Sequence, residues 1–304
     1  MVKAPEGRSL LPVELFRALA VLAEPPGRPG AARVAEALGF GGLPTADEYT
    51  AVFVFRLYPY ASVYVGSEGM LGGEARDRVA GFLSALGQAV PQEPDHLALM
   101  LGAYAWLAES EGAAEEGRPR ESLRSARRAF LWEHLLSWLP VYLDKLGEVA
   151  PPVYRVWGET LRAALDAEAE ALGGPGALPL HLREAAALAD PRESSAEEFL
   201  QTLLAPARTG MILLRDDIAR AARDLGTGVR AGERLYALRS LMGQDAAGTL
   251  TCLAAEADAW AALHRRRLAA HGLVAEWWAE RAASTAKLLR ELGDDAAIML
   301  ADRQ

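Results

Sequence analysis

Apolar side chains recur at spacings of three and four along most of this chain, the signature of helices that bury one face. Between Leu10 and Ala23 the positions Leu11, Leu15, Ala18, Leu19 and Leu22 follow that spacing, and Pro25-Pro26-Gly27 stops it, which predicts an amphipathic first helix. Thr50 to Val65 is less uniform, because Val52, Phe53, Val54 and Phe55 would suit a strand and Pro59 interrupts either element. We read it as helical to Leu57 and irregular beyond. From His96 to Ala108 nearly every position is apolar, including Leu97, Leu99, Met100, Leu101, Tyr104, Trp106 and Leu107, so this helix is expected to be buried on more than one face. Pro94 suits its first turn, and Asp95 complements the positive helix end. Ser110 to Glu121 reads as an exposed acidic loop.

A long helix is predicted from Ser122 to Leu146, with Phe130, His134 and Trp138 at intervals of four on one face and a kink at Pro140. Another spans Pro152 to Leu172 and ends at Gly173-Gly174-Pro175-Gly176, the clearest linker in the chain. Beyond it, Ala196–Leu204, Arg215–Leu225, Glu233–Met242, Asp245–His271 and Ala275–Leu292 all read as helices. No alternating strand pattern and no internal repeat interrupts them. The expectation is an all-α fold with a helical domain over 1–172 and a helical extension over 173–304.

The chain has 304 residues, enough for two domains, with 51% hydrophobic and 24% charged positions. Its net charge of −9 disfavours wrapping by nucleic acid or adhesion to anionic lipid, and favours basic partners. Cys252 is its single cysteine, so neither an intramolecular disulfide nor a cysteine zinc site is possible. Met1 to Pro12 lacks the basic n-region of a secretory signal, and no apolar run reaches the ~18 residues of a membrane span. These features together point to the cytoplasm.

Common catalytic signatures are missing: no GxxxxGK[ST], no GxGxxG after a strand, no GxSxG elbow. A di-iron bundle needs two Glu-x-x-His motifs, whereas Glu93-Pro94-Asp95-His96 is the only match and its proline puts it at a helix start. Asp216-Asp217 is followed by Ile218, Ala219 and Arg220 and lacks the third carboxylate of a Mg²⁺-binding aspartate-rich motif. No metal or cofactor is therefore expected. His96 and His134 sit among large apolar residues, and the residue types fit either two hydrogen-bonded core histidines or a functional pair. The same alternatives hold for Tyr64, Trp106, Trp132 and Trp138.

Three segments resemble the TorD/DmsD/NarJ family of redox-enzyme maturation chaperones: Pro59-Tyr60-Ala61-Ser62-Val63-Tyr64, Glu93-Pro94-Asp95-His96-Leu97, and Phe130 to Leu139 with its Phe-x-x-x-His-Leu-x-x-Trp pattern. Their order and spacing agree with that family, and the resemblance extends over residues 8 to 172. It implies an all-helical cytoplasmic chaperone, not an enzyme, that binds the twin-arginine signal peptide or the apo catalytic subunit of a molybdopterin oxidoreductase. It further implies that Pro94, Asp95 and His96 belong to the leader-binding motif, with Tyr64, His134 and Trp138 at companion positions. A leader of this kind joins an arginine pair to an uncharged apolar stretch. Asp95 is then the expected partner of a guanidinium, and Tyr64, Trp106 and Trp138 the expected lining of an apolar groove. Either a monomer or a homodimer is compatible with the sequence.

The extension past residue 172 exceeds the usual length of that family. Within it, Asp216 to Met242 resembles a helix-turn-helix, with Arg234 and Arg239 on the second helix. This gives an alternative function, a DNA-binding regulator, set against an ordinary helical hairpin whose Asp216, Asp217, Asp224 and Glu233 dilute the basic face.

Overall fold

The computed structural model describes residues 12–229 and 232–301. Leu10, Leu11 and all of the Met1 to Pro12 stretch considered for a signal except Pro12 lie outside them. Among the described residues the secondary structure is entirely helical, with a single antiparallel bridge between Tyr60 and His96, so the fold is all-α. The chain forms two compact units: residues 1–62 with 72–179, and residues 63–71 with 180–304.

The first unit is a helical bundle. Its first helix, Pro12–Leu22, buries Phe16, Leu19 and Leu22 against the Leu97–Ala113 helix and leaves Leu15 and Ala18 only partly covered. The buried face is thus turned by about one residue from the one the spacing suggested, because Phe16 offers the larger apolar surface. The Pro152–Leu172 helix has the predicted boundaries, and its Trp157 indole N–H donates to the Leu19 carbonyl at 3.1 Å.

A polar network crosses this core. Arg127, on the Arg118–Phe130 helix, pairs with Glu111 at 2.8 Å and with Glu168, while the Tyr104 hydroxyl donates to Glu168. Glu111 and Glu168 are both buried, and the guanidinium fork satisfies them together.

Three expectations are corrected here. The acidic loop is shorter than Ser110 to Glu121, because helix runs to Ala113 and resumes at Arg118, leaving Glu115 and Glu116 in the turn between. The helix expected from Ser122 to Leu146 is two helices, Arg118–Phe130 and Leu139–Val149, joined by a π-helical turn at Leu131–Leu135. Pro140 lies in the first turn of the second helix, where its missing N–H costs nothing, so it starts a helix rather than kinking one. A second π-helical turn, Thr50–Val54, resolves the strand-like segment: Phe55 N–H bonds Thr50 O and Leu57 N–H bonds Val52 O.

The second unit is organised on a helical hairpin, Ala246–Arg265 against Leu273–Ala301. Alanines at 254, 257 and 261 on one helix, and at 275, 279, 282 and 286 on the other, are buried and let the backbones approach closely. Gly210 sits against this hairpin with φ +77°, and a Cβ there would lie 2.4 Å from the Ala282 nitrogen. Its carbonyl accepts the Nε2–H of buried His264 at 2.8 Å, and Trp260 and Trp278 flank the imidazole. Burial pushes the His264 pKa down to about 4.

The helix-turn-helix expectation does not match this unit. Residues 225–233 separate the helices Arg215–Asp224 and Arg234–Gln244, far more than a three- or four-residue turn. Arg234 donates to the Leu213 carbonyl and Arg239 pairs with Glu197, so both arginines are engaged within the unit.

Candidate functional site

Two of the motif segments are one structural object. Leu97 N–H donates to the Pro59 carbonyl at 2.8 Å, and Ala61 N–H to the Asp95 carbonyl at 3.1 Å. The Asp95 side chain accepts the buried Ser62 N–H at 3.1 Å, and the Ser62 hydroxyl oxygen accepts Gly72 N–H at 3.1 Å. Asp95 is only 2% exposed. The carboxylate expected to meet a guanidinium therefore serves the opening turn of the Ala61–Val65 helix. Pro94 is also buried and lies in the turn before the helix rather than in its first turn, since the helix begins at Leu97.

His96 closes that turn as the residue capping the Leu97–Ala113 helix, with its Nδ1 accepting Ala98 N–H at 3.2 Å. That bond requires an unprotonated Nδ1 and leaves the Nε2–H as donor. Burial lowers the His96 pKa, outweighing the opposing pull of Glu93, Glu24 and Asp95, so the ring is uncharged at neutral pH. The Tyr60 ring stands edge-on to it at 4.9 Å, and the Tyr60 hydroxyl donates to Glu93 at 2.9 Å. Burial and hydrogen bonding to Glu93 raise the Tyr60 phenol, while burial followed by Glu24 and Glu93 raises Tyr49. Glu24, Tyr49, Tyr60, Glu93 and His96 thus form an acidic, aromatic cluster in which Glu93 is exposed and Glu24 is paired with Arg28 at 2.6 Å.

From this cluster an apolar stripe runs along the Leu97–Ala113 helix. Leu99, Ala103 and Trp106 follow His96 at helical spacings and keep part of their surface in solvent, whereas Leu97, Met100, Leu101, Tyr104 and Leu107 face inward. Ten residues at ~1.5 Å each give the stripe a length of about 15 Å. On the preceding segment Val54, Phe55 and Tyr58 are exposed, Phe55 to 75%.

The remaining expected residues are in the interior. His134 packs edge-on against Phe82 at 5.1 Å and beside Phe130 at 5.2 Å. Trp138 is fully buried; its indole N–H donates to the His134 carbonyl at 2.8 Å and its ring meets Tyr142 at 5.3 Å. Tyr64 is buried too and belongs to the segment 63–71 of the second unit. Of the seven residues, then, His96 and Trp106 keep exposed surface, His96 in the acidic cluster and Trp106 at the far end of the stripe. Sequence reasoning missed Tyr60, Glu24 and Leu99 as members of this surface and left Glu93 as mere motif context. The signal for Tyr60 and Glu93 lay inside the two motifs, since both flank the residues that zip together.

Among the described residues no group of three His, Cys, Asp or Glu side chains is placed to hold a metal ion. No helix among them is long and apolar enough to cross a membrane.

Comparison with known proteins bears on the first unit. The family model described as nitrate reductase delta subunit matches residues 39–144. Chaperone protein TorD of Vibrio vulnificus (strain YJ016) is 37% identical over 94 residues, 30% of this chain and 44% of that protein. The chlorate reductase assembly chaperone protein of Ideonella dechloratans is 37% identical over 89 residues, covering 29% of this chain and 46% of the relative. The selenate reductase assembly chaperone protein of Thauera selenatis is 40% identical over 81 residues, covering 26% and 42%. The chain thus spans less than half the length of these relatives, and no solved structure matches it. The matched segment holds the Pro59–Tyr64 and Glu93–Leu97 motifs, the apolar stripe and the Phe130–Leu139 helix turn, so the part of this chain that is similar to the nitrate reductase delta subunit family and to the TorD chaperone is residues 39–144.

Proposed function

We propose that this chain is a cytoplasmic assembly chaperone for a molybdopterin oxidoreductase, and that its first unit holds the twin-arginine leader of the client's catalytic subunit. The relatives' names as reductase assembly chaperones support the class, and a holding role needs no catalytic group. One observation carries the leader reading: the exposed carboxylate of Glu93, with Glu24 nearby and paired to Arg28, stands beside an uncharged His96 at the head of an outward apolar stripe. Guanidinium groups prefer planar carboxylate acceptors, and an imidazolium in their place would repel them. The stripe past Leu99 to Trp106 then receives the leader's apolar stretch, with Trp106 as its aromatic anchor. Asp95 acts through position: by holding Ser62 it fixes the turn that presents Glu93 and His96.

The test is calorimetric titration of the chain with the leader of the molybdoenzyme encoded beside it. Glu93→Gln and Trp106→Ala should each weaken binding by about tenfold or more, as loss of a charged partner or aromatic anchor does. Unchanged affinity in both variants contradicts the reading.

A further inference from the structure

The second unit carries a surface with the chemistry that the first unit is built to receive. Between Asp258 and Glu276 the sequence holds three consecutive arginines, Arg265-Arg266-Arg267, and no carboxylate, followed by Leu268 to Ala275 with no Asp, Glu, Lys or Arg. These residues form the tip of the helical hairpin. The Ala246–Arg265 helix ends there, one short turn spans Leu268–His271, and Gly272 at φ +47° reverses the chain into Leu273–Ala301. Arg267 turns inward to within 3.5 Å of the His264 ring, and burial lowers its pKa to about 10. Arg265 and Arg266 are left as an exposed pair. Beside them Leu268 and Leu273 are 42% and 49% exposed, and Ala269 and Ala270 are exposed as well. An outward arginine pair joined to an outward, uncharged apolar patch is the same combination that defines the leader.

We propose that this tip is a built-in leader mimic that docks on the Glu24, Glu93 and His96 face of a second copy of the chain. The inference rests on the leader-binding reading of that face. Charge complementarity selects the occupant: with a net charge of −9, two copies repel one another in general, and a local basic tip meeting a local acidic face is the arrangement that overcomes this. Each copy carries one tip and one face, so two reciprocal contacts close a twofold dimer without leaving a docking surface open. The consequence is regulatory. A free chaperone covers its own leader site, and a client leader opens it by displacing the partner's tip.

Sedimentation velocity of the full chain over a range of concentrations, with and without leader peptide, reads this directly. The wild type should self-associate, more weakly at high salt, and added leader should dissociate it. Arg265→Glu/Arg266→Glu and Glu24→Lys/Glu93→Lys should each weaken self-association at least about tenfold, because like charges then meet. Mixing the two variants should restore a dimer, since an acidic tip now meets a basic face and a basic tip an acidic one. A monomeric wild type, or association that ignores the charge swap or the leader, overturns the proposal. A leader affinity raised by Arg265→Glu/Arg266→Glu in a strictly monomeric chain also overturns it, because the tip would then act within one molecule. Leader binding by the dilute chain keeps the two readings apart. If leader binds and the swap has no effect, only the tip proposal falls; if leader does not bind, the site reading falls with it.

Discussion

Asp95 separates the structural from the recognition role of the motif, and its replacement has a calculable effect. The Asp95 carboxylate accepts the Ser62 N–H at 3.1 Å, and Ser62 is fully buried, so water cannot substitute for the lost acceptor in Asp95→Ala. A buried backbone donor left without a partner costs about 1–3 kcal/mol. The backbone bonds of Ala61 to Asp95 and Leu97 to Pro59 survive the change and limit local collapse, so we expect a loss near 2 kcal/mol. Asp95→Asn keeps an oxygen acceptor and should lose less than about 1 kcal/mol. Urea unfolding followed by circular dichroism gives both values, with the denaturant slope unchanged if the native state is otherwise intact. An Asp95→Ala stability within about 0.5 kcal/mol of wild type would refute the reasoning, because surface changes alone fall in that range.

Four further outcomes follow. Arg127→Met strips two buried carboxylates of their common partner and should cost about 3–5 kcal/mol, read by urea unfolding; replacing Glu111 and Glu168 by Gln in the same chain should recover much of it. Gly210→Ala forces a methyl against the Ala282 backbone at a left-handed φ and should cost about 2–4 kcal/mol or prevent folding of the second unit, measured by thermal unfolding. His264 has a folded pKa of about 4 against ~6.5 unfolded, so its contribution is fully present above pH 6.5 and is lost as pH falls toward 4. That loss amounts to about 3 kcal/mol, and His264→Gln should flatten the stability profile across this window. Because burial lowers the His96 pKa, leader affinity should hold at neutral pH and fall in acid once the ring gains charge, a fall that His96→Gln should abolish in titrations at successive pH values.

The fold class was legible because helical periodicity survives in most long elements: Pro152–Leu172 has the boundaries that spacing gave it, while the expected Asp245–His271 helix stops at Arg265 and the expected Ala275–Leu292 helix runs from Leu273 to Ala301. What spacing could not show were the two π-helical turns. Each inserts one residue into the hydrogen-bond ladder, so the 3.6-residue pattern slips at Thr50–Val54 and Leu131–Leu135 without any marker residue. Gly73–Ala85 was missed for a different reason: Arg76, Asp77 and Arg78 dilute its stripe, and its buried face is only Ala75, Val79 and Leu83. At the site, residue type pointed to Asp95, yet which carboxylate is outward depends on a turn one residue long. Glu93 and Asp95 flank Pro94; tertiary pairing with the Pro59–Ser62 segment buries one and exposes the other. His134 and Trp138 were legible as a stack, and the stack proves to be interior packing.

A double-mutant cycle between Glu93→Gln in the chaperone and alanine at each leader arginine, read by calorimetry at fixed low salt, tests the central claim that a leader guanidinium meets this carboxylate. We expect a coupling of about 1.5 kcal/mol or more for one of the two arginines, as close charge pairs at an interface show. Additive effects at both arginines, with leader binding otherwise intact, would contradict the account and place the arginine pair elsewhere on the molecule.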